Sequence, residues 1–157
     1  MKIKLSVFVL IFPMLFFMVC SAGASYFTQV NLDGFGTRDN TGGLETKTMA
    51  VFKDKIYVGV TNQVDGAQVW SFDNKSWKQV NSSGFGSKDN GAISAMIVHE
   101  NILYAGTTNA RGGEVWAFDG QEWRCIHSGK FGDILSSTIQ SMAVYKGKLY
   151  VGLWDQI

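Results

Sequence analysis

The feature that most constrains this chain is that it repeats itself. The segment Ser94 to Trp123 is complete: it contains Leu103-Tyr104-Ala105-Gly106, then Gly112-Gly113-Glu114-Val115-Trp116-Ala117-Phe118-Asp119-Gly120, then Trp123. An imperfect copy runs from Lys47 to Trp77, and a third begins at Gln140 and reaches Leu149-Tyr150-Val151-Gly152. The openings also agree. Phe27-Thr28-Gln29-Val30-Asn31 leads to Gly34-Phe35-Gly36, Trp77-Lys78-Gln79-Val80-Asn81 leads to Gly84-Phe85-Gly86, and Trp123-Arg124-Cys125-Ile126-His127 leads to Phe131-Gly132-Asp133. The units are therefore 26–75, 76–121 and an incomplete 122–157, with periods of 50 and 46 residues from Tyr26 to Ser76 and from Ser76 to Glu122. Periods of this length belong to propellers or helical arrays.

Local pattern decides between them. Each unit holds short runs rich in β-branched and aromatic residues, such as 55–60, 67–72 and 77–80, separated by Gly, Asn and Asp. No apolar face recurs at helical spacing after the leader. The expected strands of the first full set are about 48–52, 55–60, 68–72 and 76–81. Lys53-Asp54, Glu100-Asn101 and Lys146-Gly147 have the length of tight hairpins, and Asp73-Asn74 and Asp119-Gly120 are turn pairs. A four-stranded antiparallel meander at this period predicts an all-β fold, a β-propeller with about two and a half to three blades present. Trp70 and Trp116, each followed by a phenylalanine two residues on, would share one face of the third strand and fill the wedge between blades. Met49, Met96 and Met142 mark a repeated core position.

The Leu-Tyr-x-Gly segment, the Glu-Val-Trp-x-Phe-Asp-Gly segment and the tryptophan that follows resemble kelch-like propeller repeats, closest to those of secreted or surface bacterial proteins. The resemblance covers nearly all of residues 25–157. Gly112-Gly113 stands before the third strand, whereas kelch repeats carry their glycine pair at the end of the second. The resemblance thus implies the propeller fold and no specific kelch function.

Residues 1–24 read differently. Lys2 and Lys4 precede an apolar stretch from Leu5 to Val19, and Ala22-Gly23-Ala24 offers a cleavage site, the pattern of a secretory signal peptide. A retained anchor and a lipoprotein with Cys20 as the modified residue are the alternatives. The expected location is secreted, periplasmic or cell-surface. Removal of Lys2 and Lys4 changes 14 basic residues to 12 against 13 acidic ones, a net charge of −1, which favours neither nucleic acid nor an anionic membrane as partner. Cys125 would remain as a lone thiol with no disulfide partner, expected as a small buried residue of a strand. Asn74-Lys75-Ser76 and Asn81-Ser82-Ser83 fit the glycosylation sequon, which matters only in a eukaryotic source.

Strands 26–30, two sets of four and two more make eleven, with a third strand lacking from the last set. Closed propellers have four to eight blades. The expectation is a fragment of a longer propeller, completed by further blades or by self-association. An open blade face of several hundred Å² would forfeit on the order of 10 kcal/mol at ~25 cal/mol per Å², so the chain alone is expected to be marginal, oligomeric or aggregation-prone.

Antiparallel order gathers the long polar loops on one face. The links from fourth to first strand carry Asp39, Asn40, Asp89 and Asn90, and those from second to third carry Thr61, Asn62, Thr108 and Asn109. These eight are the candidate ligand-binding residues, for an unknown protein or glycan. The competing reading makes them turn residues that bond their own backbone. No catalytic residue, metal or cofactor is expected: the histidines, His99 and His127, align with non-histidine positions of other units, and no loop alternates carboxylates as a calcium loop does. Ser71-Phe72-Asp73-Asn74-Lys75-Ser76-Trp77 lacks the glycine and spacing of a sialidase aspartate box. The functional expectation is an exported, non-catalytic binding or interaction module. The alternative is the N-terminal part of a secreted propeller enzyme, glycosidase or lyase, with its catalytic residues in other blades.

Overall fold

A computed structural model describes residues 8–10, 27–41, 48–131 and 137–154. Most of the expected leader, including Cys20 and the 22–24 cleavage site, lies outside them, as do Gly132 and Asp133. The described chain is all-β and antiparallel. Its strands are β1 (Phe8–Leu10), β2 (Phe27–Gln29), β3 (Asn40–Thr41), β4 (Met49–Phe52), β5 (Lys55–Asn62), β6 (Gln68–Phe72), β7 (Trp77–Gln79), β8 (Asn90–His99), β9 (Ile102–Asn109), β10 (Val115–Phe118), β11 (Trp123–His127), β12 (Thr138–Tyr145) and β13 (Lys148–Trp154).

Both β3 and β4 pair with β5, so they are two pieces of one strand position, and the first meander is β3/β4–β5–β6–β7. The second is β8–β9–β10–β11, and β12–β13 opens a third. Strand positions therefore follow the sequence reading, with the second strand running on to Asn62. The hairpins close as their length predicted: Lys53 and Asp54 (φ 47° and 58°), Glu100 and Asn101 (47° and 59°) and Lys146 and Gly147 (48° and 71°) all sit at positive φ, the geometry of type I′ turns. The Asp73 carboxylate accepts the backbone N–H of Lys75 (3.0 Å) and Ser76 (2.8 Å), and Asp119 does the same for Gln121 (2.8 Å) and Glu122 (3.0 Å).

Period-two alternation gives each sheet two faces, and the meanders stack face to face. On the first meander, Phe52, Tyr57 and Val69 pack against Leu103, Ala105 and Phe118 of the second. Phe52, Tyr57 and Phe118 form a ring triangle with centroids 5.9–6.3 Å apart. On its other side the second meander packs Ala95 and Val115 against Ile139, Met142, Val151 and Leu153. Each junction is keyed at one glycine. A Cβ on Gly59 would lie 2.5 Å from the Cβ of Ile93, and one on Gly106 would lie 2.5 Å from Cγ2 of Ile139. The glycine of the Tyr-x-Gly motif is thus a notch that receives an isoleucine of the next unit. At the hairpin end, the Lys53 ammonium donates to the Asp119 carbonyl at 2.6 Å, a second tie between the same two meanders.

Two expectations need correction. Met49 is 53% exposed while its equivalents Met96 and Met142 are partly buried, so the repeated methionine packs only where a neighbouring sheet covers it. Cys125 is exposed, because β11 is the outermost strand of its meander; its thiol donates to the His127 carbonyl at 3.3 Å.

Candidate functional site

The two kinds of polar loop do meet at one end of the sheets, and their amides turn inward. In the first unit, Asn40 Nδ2 donates to the Gly34 carbonyl (3.0 Å) and to Gln68 Oε1 (2.8 Å), while Asn62 Nδ2 donates to Asn40 Oδ1 (2.8 Å). The second unit repeats this: Asn90 Nδ2 donates to the Gly84 carbonyl (3.0 Å) and Glu114 Oε2 (2.8 Å), and Asn90 Oδ1 accepts from Asn109 Nδ2 (3.0 Å) and the Thr107 hydroxyl (2.9 Å). Asn62 and Asn109 in turn accept backbone N–H groups of their own loops, those of Val64 and Asp65 and that of Arg111. All four asparagines are buried, so these contacts replace water for each amide. Thr61 is buried as well. Thr108 is half-buried and its hydroxyl accepts that of Thr138 at 3.3 Å.

Gln68 and Glu114 complete the network. Each offers one side-chain oxygen to two donors, the loop asparagine and the indole N–H of the tryptophan two residues on: Trp70 at 2.9 Å from Gln68 and Trp116 at 2.9 Å from Glu114. Neither is among the eight candidate residues expected from the sequence. Their signal was positional, since the same place in successive units carries two different residues that share an accepting oxygen.

The tryptophans are held from above by the Gly-Phe-Gly turns. Phe35 stacks on Trp70 (4.8 Å, 11°) and Phe85 on Trp116 (4.4 Å, 9°), while each meets the next tryptophan, Trp77 or Trp123, edge-on. To do so Phe35 and Phe85 take φ of 53° and 55°. A bulky residue in that region costs about 1–3 kcal/mol. Ring pairs contribute about 0.5–1.5 kcal/mol each beyond buried area, enough to offset the strain.

Among the side chains the loop end leaves exposed are Leu32, Asp33, Arg38, Asp39, Gln63, Val64, Asp65, Lys88 and Arg111. Asp89 is half-buried and pairs with Arg111 at 3.2 Å. Of the eight candidate residues, then, Asp39 and Asp89 reach solvent as charged groups, Thr108 is half-buried, and the other five sit beneath them. A cleft of ≈ 480 Å³ lies elsewhere, beside Val30–Leu32, Phe35, Trp70 and Trp77. The equivalent residues one repeat on, Val80, Phe85 and Trp123, are packed into the core between the first and second meanders. Among the described residues, no group of three or more His, Cys, Asp and Glu side chains is placed to hold a metal, and no helix is long and apolar enough to cross a membrane. The chain was compared with protein-family models, curated proteins and solved structures, and matches none of them.

Proposed function

We propose that the meanders are successive blades of a kelch-like β-propeller and that the chain is part of an exported, non-catalytic binding module. The observation that carries the reading is the duplicated junction: Gly59 receives Ile93 as Gly106 receives Ile139, so each unit stacks on the next by one rule. Stacking by a constant rule is how repeat folds build a continuous core and leave one face of loops for contacts. In this reading the buried asparagines are scaffold, and the contact surface is the set above them, the exposed Arg38, Asp39, Val64, Asp65, Lys88 and Arg111 with the half-buried Asp89. That set mixes both charges beside the exposed Val64, which suits a polar partner such as a glycan or a protein surface. The cleft beside Trp70 and Trp77 is the seat of a preceding blade. Further blades, or a second copy, would complete the ring.

The test is retention on an array of immobilised glycans and proteins, followed by mass analysis of whatever is bound. The expected result is retention that falls in an Arg38→Ala/Lys88→Ala/Arg111→Ala variant, with the partner recovered unaltered. Recovery of a shortened glycan would turn the assignment to a propeller enzyme. Retention that ignores the triple substitution would remove the loop face from the reading.

A further inference from the structure

The leader contributes a strand, and its register is informative. β1 runs antiparallel to β2 with Phe8 opposite Gln29, Val9 opposite Thr28 and Leu10 opposite Phe27. In the first meander Trp70, Ser71 and Phe72 of the third strand stand opposite Gln79, Lys78 and Trp77. In the second, Trp116, Ala117 and Phe118 stand opposite Cys125, Arg124 and Trp123. Gln29, Gln79 and Cys125 are the same repeat position, as are Phe27, Trp77 and Trp123. Phe8-Val9-Leu10 therefore holds the register of a third strand, with large apolar residues where the true third strands carry tryptophan and phenylalanine.

The placement of β2 agrees. The Trp77 indole donates to the Val30 carbonyl at 2.8 Å, as the Trp123 indole donates to the Val80 carbonyl at 3.1 Å. The end of β2 thus sits against the first meander as the end of β7 sits against the second. The β1–β2 pair has the register of the outer half of a unit, with β1 standing opposite β2 as β6 stands opposite β7.

We propose that Phe8–Leu10 is a stand-in strand: it covers the edge of β2 in third-strand register and withholds that edge from an incoming strand of Trp-x-Phe pattern until it is displaced. An exposed strand edge is a template for pairing with any compatible chain, so covering it protects the precursor from premature association. The occupant that fits afterwards is an extended, antiparallel segment with the alternation of Val115–Phe118, bound by backbone hydrogen bonds and read by its alternate side chains. Release by removal of the leader rests on the export reading above; the pairing and its competition do not.

The experiment uses the full chain and a fluorescein-labelled peptide with the sequence of Gly112–Gly120, followed by anisotropy. Val9→Pro/Leu10→Pro frees the edge, because adjacent N–H groups point to opposite sides of a strand and one of the two prolines must remove a bond to β2. A second variant, Val9→Cys/Thr28→Cys with Cys20→Ser and Cys125→Ser, locks β1 in place when oxidised, since residues directly opposite are within disulfide reach. The expected result is peptide binding by the proline variant at least about tenfold tighter than by the wild type, whose tethered strand competes at high effective concentration. The oxidised lock should bind less than its reduced form, and a W116S/F118S peptide should bind none of them. Equal binding by the wild type and a natively folded proline variant, or none by that variant, overturns the proposal. Should the prolines unfold the chain, equal binding by oxidised and reduced lock overturns it, and tighter binding by the reduced form supports it.

Discussion

Phe52 and Tyr145 hold the same position in the repeat, yet Phe52 is 3% exposed and Tyr145 59%. Tyr57 and Tyr150, also equivalent, are 3% and 49% exposed. The local structure is the same in both places: a strand end beside a type I′ turn, then the third residue of the following strand. The difference is the neighbour. Phe52 and Tyr57 face the second meander, while no described residues pack on Tyr145 and Tyr150 as that meander packs on Phe52 and Tyr57. In a stacked repeat, burial is a property of the junction, so one residue type at one position is core in one unit and surface in another.

Phe118→Ala should break the inner junction most severely. It removes a ring shared by Phe52, Tyr57 and Trp123, and the expected loss is about 3–5 kcal/mol, whereas Tyr150→Ala should cost less than about 1 kcal/mol; urea unfolding of the two variants side by side checks the contrast. Asn90→Ala strands several buried partners at once, the Gly84 carbonyl, Glu114, Thr107 and Asn109. Each group left unpaired costs about 1–3 kcal/mol, so a melting temperature close to wild type would show that water enters the network.

Gly59→Ala and Gly152→Ala sharpen the comparison at single-atom scale. At Gly59 the new methyl meets the branched carbon of Ile93, and about 1–3 kcal/mol is expected. At Gly152 the nearest atom is the Ser141 hydroxyl oxygen, which a rotation about χ1 moves aside, so the change should be within about 1 kcal/mol. Thermal melts reporting equal losses would mean the notch is not what sets the junction.

The smallest effect is electrostatic. Backbone N–H groups of Ser76 and Lys75 hold the Asp73 carboxyl below its ordinary value, and those of Glu122 and Gln121 do so for Asp119, with Arg124 and Lys53 adding to the second. A carboxylate with a depressed folded-state pKa stabilises above its unfolded value, and that contribution is lost as pH falls through the folded one. Both turns should therefore weaken in acid, below the usual aspartate range of about 4. Asp73→Asn and Asp119→Asn should each flatten the fall in melting temperature between neutral and strongly acidic solution.

The elements that were legible in the sequence are those written locally. The three hairpins, the Asx turns and the strand alternation each fit inside a dozen residues, and all reappear in place. The loop site was half legible. Its gathering at one end followed from strand order, but Asn40 finds Gln68 28 residues away and Asn90 finds Glu114 24 away, and no composition or spacing shows that an asparagine in a polar loop points inward. Phe35 and Phe85 were hidden for a different reason. Between two glycines a phenylalanine reads as the residue that avoids positive φ, and only the tryptophan beneath it accounts for the reverse. Met49 and Cys125 were misjudged because their burial depends on what lies across from the strand, which a repeat alignment does not contain.

The glycine notch also works as a gauge. Because nothing but hydrogen stands between the second strand of one unit and the isoleucine of the next, the spacing of adjacent sheets is set at its minimum by a single position, identically at Gly59 and Gly106. Equal spacing with equal strand twist means equal rotation at every step. In the proposed propeller the curvature of the array would then be inherited from one residue, and enlarging that residue at every unit would change how many units complete a turn.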